Sequence, residues 1–148
     1  MRATLLALLT LTVAGACATA PGPGDAGYAY NLSGSYVGRF DIDGQPFDAT
    51  LQLRTSPGGS VRGAFRVGLP VDIEGSAEGA LIRDLLRIDI SYVDGGGCRS
   101  RIAGILTVER GGGTIEGPVT VTDCGTETAG RMRFRRQVRR PGGSRQAG

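Results

Sequence analysis

The chain of 148 residues contains no histidine, no lysine and no tryptophan, and it has only three cysteines. Without histidine or lysine there can be no histidine triad, no Schiff-base amine and no histidine metal site. Carboxylates remain, and Asp41, Asp43 and Asp48 cluster around the short stretch "DIDG". Two carboxylates across a cleft can act as acid and base or bind calcium, but this stretch lacks the rest of a calcium loop. It reads as a turn with solvated flanks. No enzymatic activity, metal or cofactor is expected from any motif. Long apolar runs are missing too, because no segment approaches the roughly 20 residues that a membrane-spanning helix needs.

What is present begins with an address. Arg2 is followed by an uncharged, largely apolar run from Ala3 to Ala16, which has the form of a secretory leader. The next residue is Cys17, preceded by Val13-Ala14-Gly15-Ala16. This stretch resembles the lipobox of bacterial lipoproteins, with Ala14 where leucine is usual. The resemblance implies cleavage before Cys17, a lipid on its sulfur, and a chain anchored in the bacterial cell envelope, facing the periplasm or the cell surface. The competing reading is Ala16-Cys17-Ala18 as an A-x-A site for plain secretion. Cysteine arithmetic favours the first, since three cysteines leave an odd one in an exported protein. A lipidated Cys17 leaves Cys98 and Cys124 as an even pair in an oxidising compartment. Residues 1–16 are thus expected to be signal peptide. Residues 17–31, rich in Ala, Gly and Pro, read as a flexible lipid-anchored linker.

From residue 32 to 137 hydrophobicity alternates with period two, interrupted by turn residues, which argues for an all-β domain. Tyr36, Phe40 and Ile42 share one face with Gly34 and Gly38, and Asp43-Gly44 supplies a tight hairpin turn. Phe47, Ala49, Leu51 and Leu53 follow, then Val61, Gly63, Phe65 and Val67. A fourth run places Val71, Ile73, Gly75 and Ala77 inward, and a fifth Leu86, Ile88, Ile90 and Tyr92. The spacing of "GALIRDLLRIDI" also suits a helical turn, but its β-branched and aromatic end favours strand from Leu85. Ile102, Gly104, Leu106 and Val108 make a sixth, Ile115, Gly117, Val119 and Val121 a seventh, and Gly130, Met132 and Phe134 an eighth.

Eight short strands with short turns suit an antiparallel up-and-down β-barrel, with a β-sandwich as the alternative. Recurrent glycines on the apolar face favour the barrel. Over residues 32–137 the pattern resembles lipocalin-like and avidin-like barrels. The tryptophans that line an avidin biotin pocket are absent, so that ligand does not carry over. An outer-membrane barrel needs an apolar exterior. Here Arg39, Asp41, Arg54, Arg62, Arg66, Asp72, Glu74, Arg87, Asp89, Arg99 and Arg101 oppose the apolar face, so the exterior is wet.

Cys98 and Cys124 are expected to form a disulfide. They are equidistant from the turn "RGGG", and loops at their positions open at the same end of an up-and-down barrel. Inward residues are even-numbered in the sixth run and odd-numbered in the seventh, so paired numbers must sum to an odd value. Because 98 and 124 sum to an even one, Cys124 should lie just past the ladder or beyond a bulge.

Charge is uneven. Seven of the 17 arginines, including Arg131, Arg133, Arg135, Arg136, Arg139 and Arg140, lie in residues 131–145, where there is no acid. Residues 18–130 hold nine arginines against all 14 acids, a net of −5. The basic run reads as the outer face of the last strand continuing into a disordered tail over 138–148. A headgroup-binding role is the alternative. An exported location disfavours nucleic acid. The expectation is an envelope protein-interaction or structural module, held to the membrane by its N-terminal lipid. Its alternative is a barrel that holds a small apolar ligand, with Tyr36, Phe40, Phe47, Phe65, Tyr92 and Phe134 lining the pocket.

Overall fold

The structure, a computed structural model, describes residues 19–138. The expected leader, Cys17, and the tail arginines Arg139 and Arg140 lie outside the described residues. Eight strands run in order: β1 (Gly34–Ile42), β2 (Gln45–Thr55), β3 (Ser60–Val67), β4 (Ile73–Ile82), β5 (Leu85–Val93), β6 (Arg99–Val108), β7 (Thr114–Asp123) and β8 (Thr126–Arg136). Each pairs antiparallel with the next, and β1 pairs with β8 from Tyr36↔Arg136 to Ile42↔Gly130, closing the barrel. Closure removes every sheet edge. The barrel, not the sandwich, is the fold, and the doubtful segment is strand up to Ile82 and again from Leu85.

Turn chemistry fixes the register. Asp43 and Gly44 both have positive φ, 54° and 81°, and Ile42 faces Gln45, the geometry of a two-residue type I′ hairpin. Cys124 and Gly125 repeat it between Asp123 and Thr126. On the outer wall, Arg66 opposes Glu74 and Arg133 opposes Glu116, the latter pair 2.9 Å apart. Exposed pairs like these contribute at most about 1 kcal/mol, but they disfavour a slipped register.

Inward positions form one core of buried aliphatic and aromatic residues. At its centre Phe65 meets Phe40 and Phe134 edge to face, with centroids 5.7 and 6.4 Å apart. Strands draw close around these rings where side chains are missing. A Cβ added to Gly38 would fall on the Arg133 carbonyl, and one at Gly63 on the Gln52 carbonyl.

Two expectations are corrected. Val71 does not face inward with Ile73. It is 39% exposed, because residues 68–72 curl into a turn, with Val71 and Asp72 N–H groups donating to the Gly68 carbonyl. Pro70 lacks the N–H that would continue a ladder. The stretch read as a flexible linker, 17–31, is laid against the barrel over its described part. Gly24 packs on Ser56 and Pro57, the Tyr28 hydroxyl reaches the Arg83 carbonyl at 3.4 Å, and Gly111 N–H donates to the Ala29 carbonyl at 2.6 Å. Leu32 is fully buried. This segment touches all three turns at its end of the barrel and lids it.

Candidate functional site

The up-and-down path gives the barrel two unlike ends. One, the terminal end, gathers the β2–β3, β4–β5 and β6–β7 turns with the start of β1 and the end of β8, and the other gathers the remaining four connections with the disulfide. Between them, the aromatics that the ligand-binding alternative would set around a pocket belong to the core or pack against it. Tyr36, Phe40, Phe65 and Phe134 are at most 1% exposed, Tyr92 is buried, and Phe47 is half-buried at the disulfide end. An eight-stranded barrel is narrow enough for such rings to occupy its bore.

The terminal end is plugged by Arg136. It was expected within an outward basic run, but it follows Met132 and Phe134 in their inward alternation and turns inside, half-buried. Its guanidinium sits 5.4 Å from the Tyr36 ring centroid, donates to the Tyr36 hydroxyl at 2.8 Å, and also donates to the Asn31 carbonyl. The Tyr36 hydroxyl in turn lies 3.0 Å from the Gly112 carbonyl and 3.2 Å from that of Leu32, donating to one at a time. Burial pushes the Tyr36 phenol above the ordinary tyrosine value, and Arg136 pulls in the opposite direction. Arg131, Arg133 and Arg135 do lie outward and exposed on β8.

At the opposite end the Cys98–Cys124 disulfide is formed, with Cα atoms 5.5 Å apart, inside the usual range. Its placement follows the parity argument. Arg101 faces Thr122 and Val108 faces Ile115, so β6–β7 pairs sum to 223, and Cys124 lies one residue past β7 in the turn. Asp94 organises the loop beside it, accepting the Cys98 N–H at 2.7 Å. Asp94, Cys98 and Cys124 bring three possible ligand atoms within 4.8 Å. The two sulfurs are bonded to each other, so neither is a thiolate able to hold a metal. Below them, buried Ser100 donates to Asp123, and Tyr92 faces the same carboxylate. Burial, then the Asp123 charge, push the Tyr92 phenol upward; Ser100 opposes and Asp94 adds to the rise.

Sequence reasoning missed the charge polarity of the ends. Taking each connection with two strand residues on either side, the disulfide end carries seven acids and two arginines, a net of −5. The terminal end, taken likewise with residues 19–35 and 135–138, carries five arginines and three acids, a net of +2. Amid the acidic rim, Leu69 stands 87% exposed. The chain matches no protein-family model, no curated protein and no solved structure with which it was compared.

Proposed function

We propose that the protein is an exported, lipid-anchored barrel of the bacterial cell envelope that acts as a protein-interaction module, not as an enzyme, and presents its acidic disulfide end to a partner. The observation that carries this reading is the filled bore. Phe40, Phe65 and Phe134 occupy the space a lipocalin-like barrel would give to a ligand, and Arg136 and the N-terminal segment close one mouth. With the interior committed to packing, surfaces are left to do the recognising. A rigid frame with a covalently braced acidic rim around an exposed leucine suits a partner that offers an apolar pocket with a basic border.

A photo-crosslinking residue placed at Leu69 in the native host should join the protein to one discrete partner, whereas one at Thr107 on the outer wall should not. Native mass spectrometry of protein taken from its own envelope should give the chain and its covalent lipid alone. A retained non-covalent mass of a few hundred daltons would turn the reading toward the ligand-binding barrel. Labelling with a palmitate analogue should mark the wild-type protein, and Cys17→Ser should abolish the label.

A further inference from the structure

The terminal end carries exposed aliphatic side chains that neither the core nor the lid uses. Ile82 and Leu85 face each other on the last rung of the β4–β5 hairpin, both outward, 66% and 44% exposed. Ile105 is 59% exposed on β6, two positions from Thr107, the direct partner of Leu85. Between Ile82 and Leu85 the chain turns through exposed Arg83 and Asp84, and the neighbouring turn carries exposed Glu109 and Arg110. Tyr28, half-buried, lies against this hairpin with its hydroxyl at the Arg83 carbonyl. Aliphatic side chains, arginines and a half-exposed tyrosine together are the chemistry that a bilayer's headgroup layer accommodates.

We infer that the terminal end of the barrel is apposed to an anionic lipid surface through the β4–β5 hairpin, with the disulfide end pointing away. Charge selects this occupant and this orientation. An anionic surface attracts the end at +2 and repels the one at −5. The inference rests in part on the proposed anchor at Cys17, and the lid strengthens that link. Because the segment packs on the β2–β3 turn from Pro23 and Gly24 onward, only a few residues separate Cys17 from it, a reach of about 20 Å at full extension. A lipid on Cys17 therefore holds this end, not the other, near the membrane.

The absence of tryptophan makes the test direct. Leu85→Trp and, separately, Leu69→Trp would each place one tryptophan at one end of the mature protein, which is then reconstituted in vesicles of brominated phosphatidylcholine with phosphatidylglycerol. Ile82→Trp serves should Leu85→Trp fold poorly. The tryptophan at 85 should lose most of its fluorescence and the one at 69 should keep it. Replacing Arg83 with Asn and Arg110 with Gln in the Leu85→Trp protein should lower the docked-to-undocked ratio about fivefold per arginine. Equal quenching at the two positions, greater quenching at 69, no quenching, or quenching at 85 unchanged when phosphatidylglycerol is left out would each overturn the inference. If the chain proves to lack lipid, unlipidated protein is added to the same vesicles at low salt. Preferential quenching at 85 then upholds the orientation while the anchor fails, and absence of binding overturns it.

Discussion

The two ends of this barrel are closed by different means. At the terminal end closure is non-covalent and distributed: the N-terminal lid, a stacked Arg136–Tyr36 pair, and contacts to three turns by packing, by the Tyr28 hydroxyl and by the Ala29–Gly111 main-chain hydrogen bond. At the disulfide end it is local, a single covalent link and an Asp94-centred loop, leaving a rim of carboxylates unlidded. The contrast shows what each end can tolerate. A rim of carboxylates cannot be sealed by burying side chains over it without stripping the charges of water, and there a covalent brace holds the loops. The end at which β1 begins has the preceding segment laid over it as a seal.

The largest expected effect comes from breaking the brace. Cys98→Ser should lower stability by about 3.5 kcal/mol, the chain-entropy value for a loop of 26 residues. Denaturant titration reads the loss. Hydrogen exchange should quicken in residues 94–100 and 122–126 and stay unchanged in 28–33. A uniform rise at both ends would show that they are not independent.

Much of this frame was legible in the chain. Strict alternation identified the eight strands, and Asp43-Gly44 identified a turn requiring positive φ. The parity of inward residues even located Cys124 outside the ladder. What was not legible has physical reasons. The lid reads as spacer because its Ala, Gly and Pro content masks the few side chains that anchor it, Tyr28, Tyr30 and Leu32, and composition does not report the hydrogen bonds its Ala29 and Asn31 carbonyls accept. Val71 misled because period two persists in sequence across a turn that the ladder does not enter. Arg136 was hidden by its neighbours. A run of arginines reads as one solvated patch, although the parity of Met132, Phe134 and Arg136 was itself the signal that this one points inward. The bore's filling was undecidable, since the same inward aromatics either line a cavity or pack it.

A smaller effect is expected from unplugging the other end. Arg136→Met keeps the stem but loses the charged donors to Tyr36 and Asn31, and should cost about 2 kcal/mol. Here exchange should quicken at Asn31 and Gly112 and not around Asp94, the reverse of the cysteine variant.

The paired tyrosines sharpen the comparison without unfolding either end. Both Tyr36 and Tyr92 have phenols raised above the ordinary value of 10.0. Above pH 10 the unfolded chain releases these protons first and so binds fewer than the folded chain, and stability falls as pH climbs through the raised folded values. The neighbours act in opposite senses. Asp123→Asn removes a charge that raises Tyr92, so that residue should titrate at lower pH. Arg136→Met removes one that lowers Tyr36, so that residue should titrate at higher pH. Carbon NMR of labelled tyrosine rings reads both, and shifts in the same direction would contradict the assigned neighbours.

The smallest effect on stability is expected where the largest effect on recognition is. Leu69 is almost wholly in solvent within a turn held by main-chain hydrogen bonds to Gly68, and its side chain contributes little to the core. Leu69→Ser should therefore change unfolding free energy by less than about 0.5 kcal/mol. If the disulfide end is a docking surface with this leucine as its apolar anchor, losing it should weaken partner binding by more than about tenfold, the scale of a buried interface anchor. Asp72→Asn beside it should instead slow association and reduce its salt dependence, because a rim charge steers encounter more than it holds the complex. Binding kinetics on the crosslinked partner separate the two. Unchanged dissociation in Leu69→Ser would place the docking surface elsewhere on the barrel, although the covalent brace and the filled bore would stand.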